Sequence, residues 1–186
     1  FRRYNRYGGQ PAAQGVHSPE YARVLDRYIA RLVSLERTTD AMELYASEIA
    51  RNPADPALYQ RLAAFLEQNG LSARMEAVYR RAIAQFQDRS WHHKLARWYL
   101  RTSKRAEFAA LTREITGLFS GTELDAYFRQ VVGGSSLSPT LYLQVNLYAL
   151  ERCPHNLAFV KNLLRAYRTR QTRNEAAWVK LIREYW

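Results

Sequence analysis

The sequence predicts an all-α fold, a right-handed α-solenoid of antiparallel helix pairs, on three observations. Apolar residues recur at i, i+3 and i+4 from residue 18 onward, and no stretch of any length alternates with period two. Helix start and stop signals divide that pattern into ten segments. The segments repeat at a nearly constant offset of 34 residues.

The elements follow in order. Residues 1–17 (FRRYNRYGGQPAAQGVH) are polar and aperiodic, and read as an irregular leader. Ser18-Pro19-Glu20 supplies an N-cap, a proline at the first helical position and an acid in the first turn, so a helix opens there. Val24, Leu25, Tyr28, Ile29 and Leu32 form its apolar face. Asp40 with Glu43 predicts a second start, and Leu44, Tyr45 and Ile49 point inward until Asn52-Pro53 stops the helix. Asp55-Pro56 opens a third helix, with Tyr59, Leu62, Ala63 and Leu66 on one face and Gly70 at its C-terminal end. Further starts are expected at Ser72, Ser90, Ser103, Thr122, Ser138, Asn156 and Asn174. GGSSLSP, after Val132, is the one flexible stretch inside the array, and 133–138 is expected to be an exposed loop.

Leu25, Tyr28, Ile29, Leu32 and Glu36 map onto Tyr59, Leu62, Ala63, Leu66 and Gly70 at an offset of 34. An offset of 33 carries Tyr59, Leu62, Ala63 and Leu66 onto His92, Leu95, Ala96 and Tyr99. Two helices per period mean that each unit must stack on its neighbours to bury its apolar face. Five helix pairs result, over 18–53, 54–88, 89–120, 121–154 and 155–186. The fourth is interrupted by the glycine-rich stretch.

DPALYQRLAAFLEQNGLSARMEAVYRRAIAQFQD resembles a tetratricopeptide repeat (TPR). Tyr59, Leu62-Ala63 and Gly70 fit its first helix, and Tyr79 and Ala82 its second. Ala41, Tyr45 and Asn52-Pro53 match the preceding unit, and Leu163, Leu164, Tyr167 and Ala176 the last. Met75 and Phe108 stand where that family has small residues, Glu48 replaces another, and Gln87 replaces the closing proline. RLAAFLEQNG and SARMEAVYRRAIAQF are also similar to the two helices of the half-a-TPR family. The resemblance implies close helix pairing through small residues, with large ones filling the groove.

Composition limits the function. Apolar residues make up 47% and charged residues 24% of 186, so the chain is an ordinary folding sequence and not a disordered one. No run approaches a membrane span. The composition fits a soluble chain, cytoplasmic in preference to other compartments. The opening Phe-Arg-Arg-Tyr, with no initiator Met, reads as part of a longer protein. Bases outnumber acids 28 to 17, and lysine supplies few of them; that arginine and alanine preference points to a GC-rich, bacterial genome. No glycine-rich phosphate loop, paired-carboxylate site or Ser/His/Asp signature is present, which predicts a non-catalytic chain without cofactor or metal. Adjacent His92 and His93 point about 100° apart on a helix and cannot share a metal. One is expected half-buried and the other on the surface. Cys153 reads as a buried lone thiol. Most tyrosines, Tyr28, Tyr45, Tyr59, Tyr79, Tyr99 and Tyr167 among them, fall at packing positions, which leaves few for stacking on bases.

The resemblance implies that the first helix of each pair lines a concave groove. Its outward positions here are Arg23 and Arg27; Gln60 and Arg61; His93, Lys94, Arg97 and Arg101; and Lys161, Asn162, Arg165 and Arg168, with Asp26 the lone acid among them. Asp26, Ala30 and Arg61 stand where TPR modules that clamp a terminal carboxylate carry Lys and Asn, so clamping of that kind is not expected. The expected function is a scaffold that binds an acidic segment of another protein, or of its own chain, in a basic groove. Two alternatives stay open: an RNA-associated half-a-TPR-like module, and a regulatory segment of an enzyme whose catalytic domain lies elsewhere.

Overall fold

A computed structural model of the chain describes residues 18–185, and every regular element in it is helical. The leader expected over 1–17 lies outside the described residues. Ten α-helices follow: α1 (Pro19–Ser34), α2 (Thr38–Arg51), α3 (Pro56–Gln68), α4 (Met75–Phe86), α5 (Arg89–Arg101), α6 (Arg105–Leu118), α7 (Gly121–Tyr127), α8 (Pro139–Arg152), α9 (Leu157–Ala166) and α10 (Glu175–Tyr185). They divide into two compact units, Phe1–Asp88 and Arg89–Trp186.

Local chemistry sets the helix ends. Ser18 and Ser138 each cap a helix that begins with proline, their hydroxyls accepting the N–H of Tyr21 at 3.2 Å and of Leu141 at 3.3 Å. Besides Gln87 (φ 49°) after α4, three helices stop on a left-handed residue: Glu36 (φ 58°), Gly70 (φ 69°) and Ser103 (φ 59°). Beyond each, one backbone N–H reaches back over the last turn. Arg37 donates to Leu32 O at 2.9 Å, Leu71 to Leu66 O at 2.8 Å, and Lys104 to Tyr99 O at 2.9 Å. The same terminus therefore recurs at offsets of 34 and 33 residues.

A second turn also recurs. At Asn52-Pro53-Ala54-Asp55 and at Cys153-Pro154-His155-Asn156, the fourth residue donates to the first carbonyl, at 3.2 and 3.0 Å. Its side chain then caps the next helix, from Ala57 N–H to Asp55 at 2.9 Å and from Ala158 N–H to Asn156 at 3.0 Å.

In the first unit α1 packs on α2, α2 on α3 and α3 on α4. Leu25, Ile29 and Leu32 of α1 meet a core of Ala41, Tyr45, Ile49, Leu58, Tyr59, Phe65, Leu66, Met75 and Tyr79. Phe65 stacks on Tyr45 with centroids 5.5 Å apart, and Tyr59 meets Phe86 edge-on at 5.0 Å. Glu48 is only 1% exposed. A carboxylate there needs partners, and it has them: the Tyr21 hydroxyl donates to it at 2.6 Å and Arg51 pairs with it at 3.2 Å.

In the second unit α5 packs on α6, α6 on α8, α8 on α9 and α9 on α10. Phe108, Leu111 and Ile115 of α6 are fully buried. An aromatic seam joins the other helices: His92 lies against Phe119, Phe119 against Tyr127, Tyr127 against Phe128, and Phe128 against Phe159. Phe128 sits in a single π turn, Phe128–Val132, that prolongs α7 and packs on α5. The sequence pattern contains no sign of that turn. It closes with Gly133 N–H donating to Phe128 O at 2.7 Å. A Cβ on Gly133 would stand 3.2 Å from Arg129 O, so glycine fits this close approach.

Several expectations need correction. Asp40 does not begin α2: the helix opens at Thr38, and Asp40 pairs with Arg37 inside its first turn. Ser103 does not begin α6 but terminates α5, and Ser120, with Glu123, forms the capping box of α7. Tyr28 is not a core residue. It is 45% exposed, because α1 buries the neighbouring Leu25, Ile29 and Leu32 face. His92 is buried and His93 half-buried, so neither is a surface residue. Cys153 is half-buried rather than buried. The 133–138 loop is mixed in exposure, with Leu137 partly covered.

The left-handed termini generate a test. Replacing Glu36 or Ser103 with glycine should raise the unfolding free energy by about 0.5 kcal/mol, and Gly70→Ala should lower it by about 1 kcal/mol. Urea midpoints measure both, and destabilisation by all three would contradict the assignment.

Candidate partner-binding faces

In the first unit the candidate residues lie on α1 and α3. Arg23, Arg27 and Gln60 are exposed. Arg61, partly covered, forms an ion pair with Asp26 that ties α3 to α1. That bond, more than any other influence, holds the Arg61 guanidinium in its charged form. The lone acid of the predicted set thus cancels one of its bases. Beneath the pair is Tyr45, whose phenol is pushed up to about 12, first by burial and then by the Asp26 charge. A small cleft of about 250 Å³ runs beside it, lined by Pro19, Ala22 and Leu25 of α1 and by Asp55, Leu58 and Arg61.

In the second unit the candidates fall on α5 and α9 and, for Arg168, in the turn after α9. His93 is half-buried, its ring 5.4 Å from Tyr127. The Lys94 ammonium lies 4.1 Å over the Trp91 ring, which is itself only 1% exposed. Arg97 and Arg101 are exposed. Asn162 is structural: its amide donates to Asn146 at 2.9 Å, and the buried Asn146 donates to Tyr142 O at 2.8 Å. Lys161, Arg165 and Arg168 are exposed. Arg165 is close enough to Tyr142 for its charge to oppose the upward shift that burial gives that phenol.

Charge is unevenly distributed in this unit. α5 (RSWHHKLARWYLR) has four bases and no acid, and α9 (LAFVKNLLRA) two bases and no acid. In α6, α8 and α10 acids and bases are equal in number. The acids of α7 are engaged, Glu123 with Arg89 at 3.3 Å and Asp125 with the Asn156 amide at 2.7 Å. Among the described residues Arg97, Lys161, Arg165 and Arg168 have no ion pair. No three His, Cys, Asp or Glu side chains among the described residues converge in a way that would hold a metal ion. No described helix is long and apolar enough to cross a membrane.

The structure therefore separates the predicted set into exposed bases and residues already occupied. Arg61, Lys94 and Asn162 belong to the second group. Sequence position alone does not mark them, because each partner lies on another helix or one turn away. Trp91 and Trp98, which sequence periodicity left undetermined, are core residues at 1% and 3% exposure. No protein family, curated protein or solved structure matches the chain.

Tyr45 gives a pH test. Its folded pKa is raised, so the folded state keeps a proton that the unfolded phenol loses above about pH 10. Stability should fall as pH rises from about 10 to 12, and Tyr45→Phe should flatten that part of the profile. An unchanged profile would place Tyr45 outside the core. Asp26→Asn should cost only about 0.2–1 kcal/mol, with the loss shrinking in high salt, because the ion pair is half-exposed.

Proposed function

We propose that the chain is a TPR-like α-solenoid that acts without catalysis, holding an acidic segment of another protein against the basic faces of α5 and α9. Two backbone motifs support the architecture: the left-handed terminus at Glu36, Gly70 and Ser103, and the Asn/Cys-Pro turn before α3 and α9. Short, regular reversals of this kind deliver helix pairs in repeating register.

The observation that carries the function is the segregation of charge. α5 and α9 hold bases without acids, whereas α6, α8 and α10 are each balanced. A single-sign face repels itself, and an acidic ligand offsets that repulsion. Each exposed contact contributes about 0.2–1 kcal/mol, so affinity requires several bases acting together. Burial of Tyr59, Trp91, Trp98, Tyr99 and Tyr127 removes those five rings as a stacking platform for RNA.

The test is a pull-down with the full chain and its charge-reversed variants. Arg97→Glu with Arg165→Glu should abolish capture of the partner. Arg105→Glu with Arg152→Glu, which changes net charge equally on α6 and α8, should leave capture within about twofold. Equal loss in both would mean that net charge alone is responsible.

A further inference from the structure

Within the second unit α9 buries one face and presents another of mixed character. Phe159, Val160, Leu163 and Ala166 form the buried face, at 3% exposure or less. Leu157 is 49% exposed and Leu164 half-buried. At 100° per residue these two leucines, seven positions apart, lie within about 20° of each other and about 110–130° from the middle of the buried face. Lys161 stands between them along the helix and Arg165 follows Leu164. Both are exposed, with no ion pair among the described residues. Asn162 holds the helix in this orientation, its amide donating at 2.9 Å to the fully buried Asn146 of α8.

α5, the other basic helix, offers no such combination. Trp91, Leu95, Trp98 and Tyr99 are buried and Leu100 is half-buried, so its charged face carries no exposed large apolar side chain. A ligand that met α9 through carboxylates alone would leave the surface of Leu157 in water. One that also covered the leucines would gain the transfer of that apolar area out of water. Attraction by charge therefore suffices for α5, whereas α9 favours a segment that has apolar residues among its acids.

Spacing decides the form of that segment. Seven residues of helix rise about 10.5 Å, which separates Leu157 from Leu164 along α9. A helix lying along α9 returns a side chain to the same face at that same interval. An extended segment returns one about every 6.7 Å, and neither one step nor two matches. We propose, resting on the basic-face reading above, that the part of the partner covering α9 is an amphipathic helix. Its apolar residues, seven positions apart, lie over Leu157 and Leu164, and its carboxylates, one turn away, meet Lys161 and Arg165. α9 has no acid to repel them. A second copy offering the same face would set Lys161 and Arg165 against bases, so the occupant is a partner of opposite sign.

The probes are three synthetic peptides of about 18 residues, long enough to form a helix on docking. The first has leucines at i, i+7 and i+14 among glutamates and alanines. The second has the same composition with the leucines at i, i+2 and i+5, which scatters them round a helix. The third keeps the glutamates and replaces each leucine with serine. Fluorescence anisotropy against the full chain should show the first binding about tenfold tighter than the other two, through the leucine surface it covers. Leu157→Gln, or Lys161→Glu, should weaken it about fivefold or more, and Leu157→Met should retain it within about threefold. Circular dichroism should be unchanged in all three variants, because both positions are exposed. Equal binding of the three peptides, each abolished by Arg97→Glu with Arg165→Glu, would overturn this inference and leave the basic-face reading standing. Binding of none of them would contradict both. Self-association of the chain that Leu157→Gln abolishes would also overturn the inference, since the occupant would then be a second copy.

Discussion

Helices α1 to α6, 12 to 16 residues long and joined by two to six residues, must reverse direction almost at once, and the rest of this structure depends on how they do so. One left-handed residue ends α1, α3 and α5, and the following N–H bonds back across the last turn. That bond occupies a carbonyl of the last turn and fixes the angle at which the next helix leaves. With the exit fixed, Tyr45 meets Phe65, and Glu48 lies within reach of Tyr21. Only glycine adopts this conformation cheaply, yet glutamate and serine do so at two of the three sites. Packing therefore outweighs local preference there.

Charge placement follows from the same repetition. A helix that presents one face to its neighbours leaves another to solvent, and in the second unit the solvent faces differ in kind. α6, α8 and α10 mix acids with bases, which lowers self-repulsion. α5 and α9 do not. The difference is costly in the absence of a ligand, and that cost is the physical basis for reading the two faces as a binding surface.

Much of the fold was legible in the sequence because its signals are local. Ser-Pro at 18–19 and 138–139 and Asp-Pro at 55–56 each dictate a helix start through a side-chain oxygen and a proline ring, and Gly70 dictates a helix end because it has no Cβ, and each does so in the structure. What escaped depends on partners distant in sequence. Ser103 has the composition of a helix start, but it ends α5 because Lys104 bonds to Tyr99. The π turn at 128–132 arises where Phe128 packs between Tyr127 and Phe159. Of the candidate bases, exposure could be anticipated from helical phase, whereas the capture of Arg61 by Asp26 and of Lys94 by Trp91 could not. Tyr28 shows the converse error: its phase matches a core position, yet it is 45% exposed while Leu25, Ile29 and Leu32 form the buried face of α1.

Chemical-shift mapping tests the central claim most directly. An isotopically labelled full chain would be titrated with an oligoglutamate peptide, and separately with oligouridine, while the arginine and lysine side-chain resonances are followed. The account predicts saturable shifts from the peptide concentrated at Arg97, Lys161, Arg165 and Arg168, with Arg105, Arg113 and Arg152 little changed. Shifts spread evenly over all the arginines, or tighter binding of oligouridine at the same residues, would contradict it.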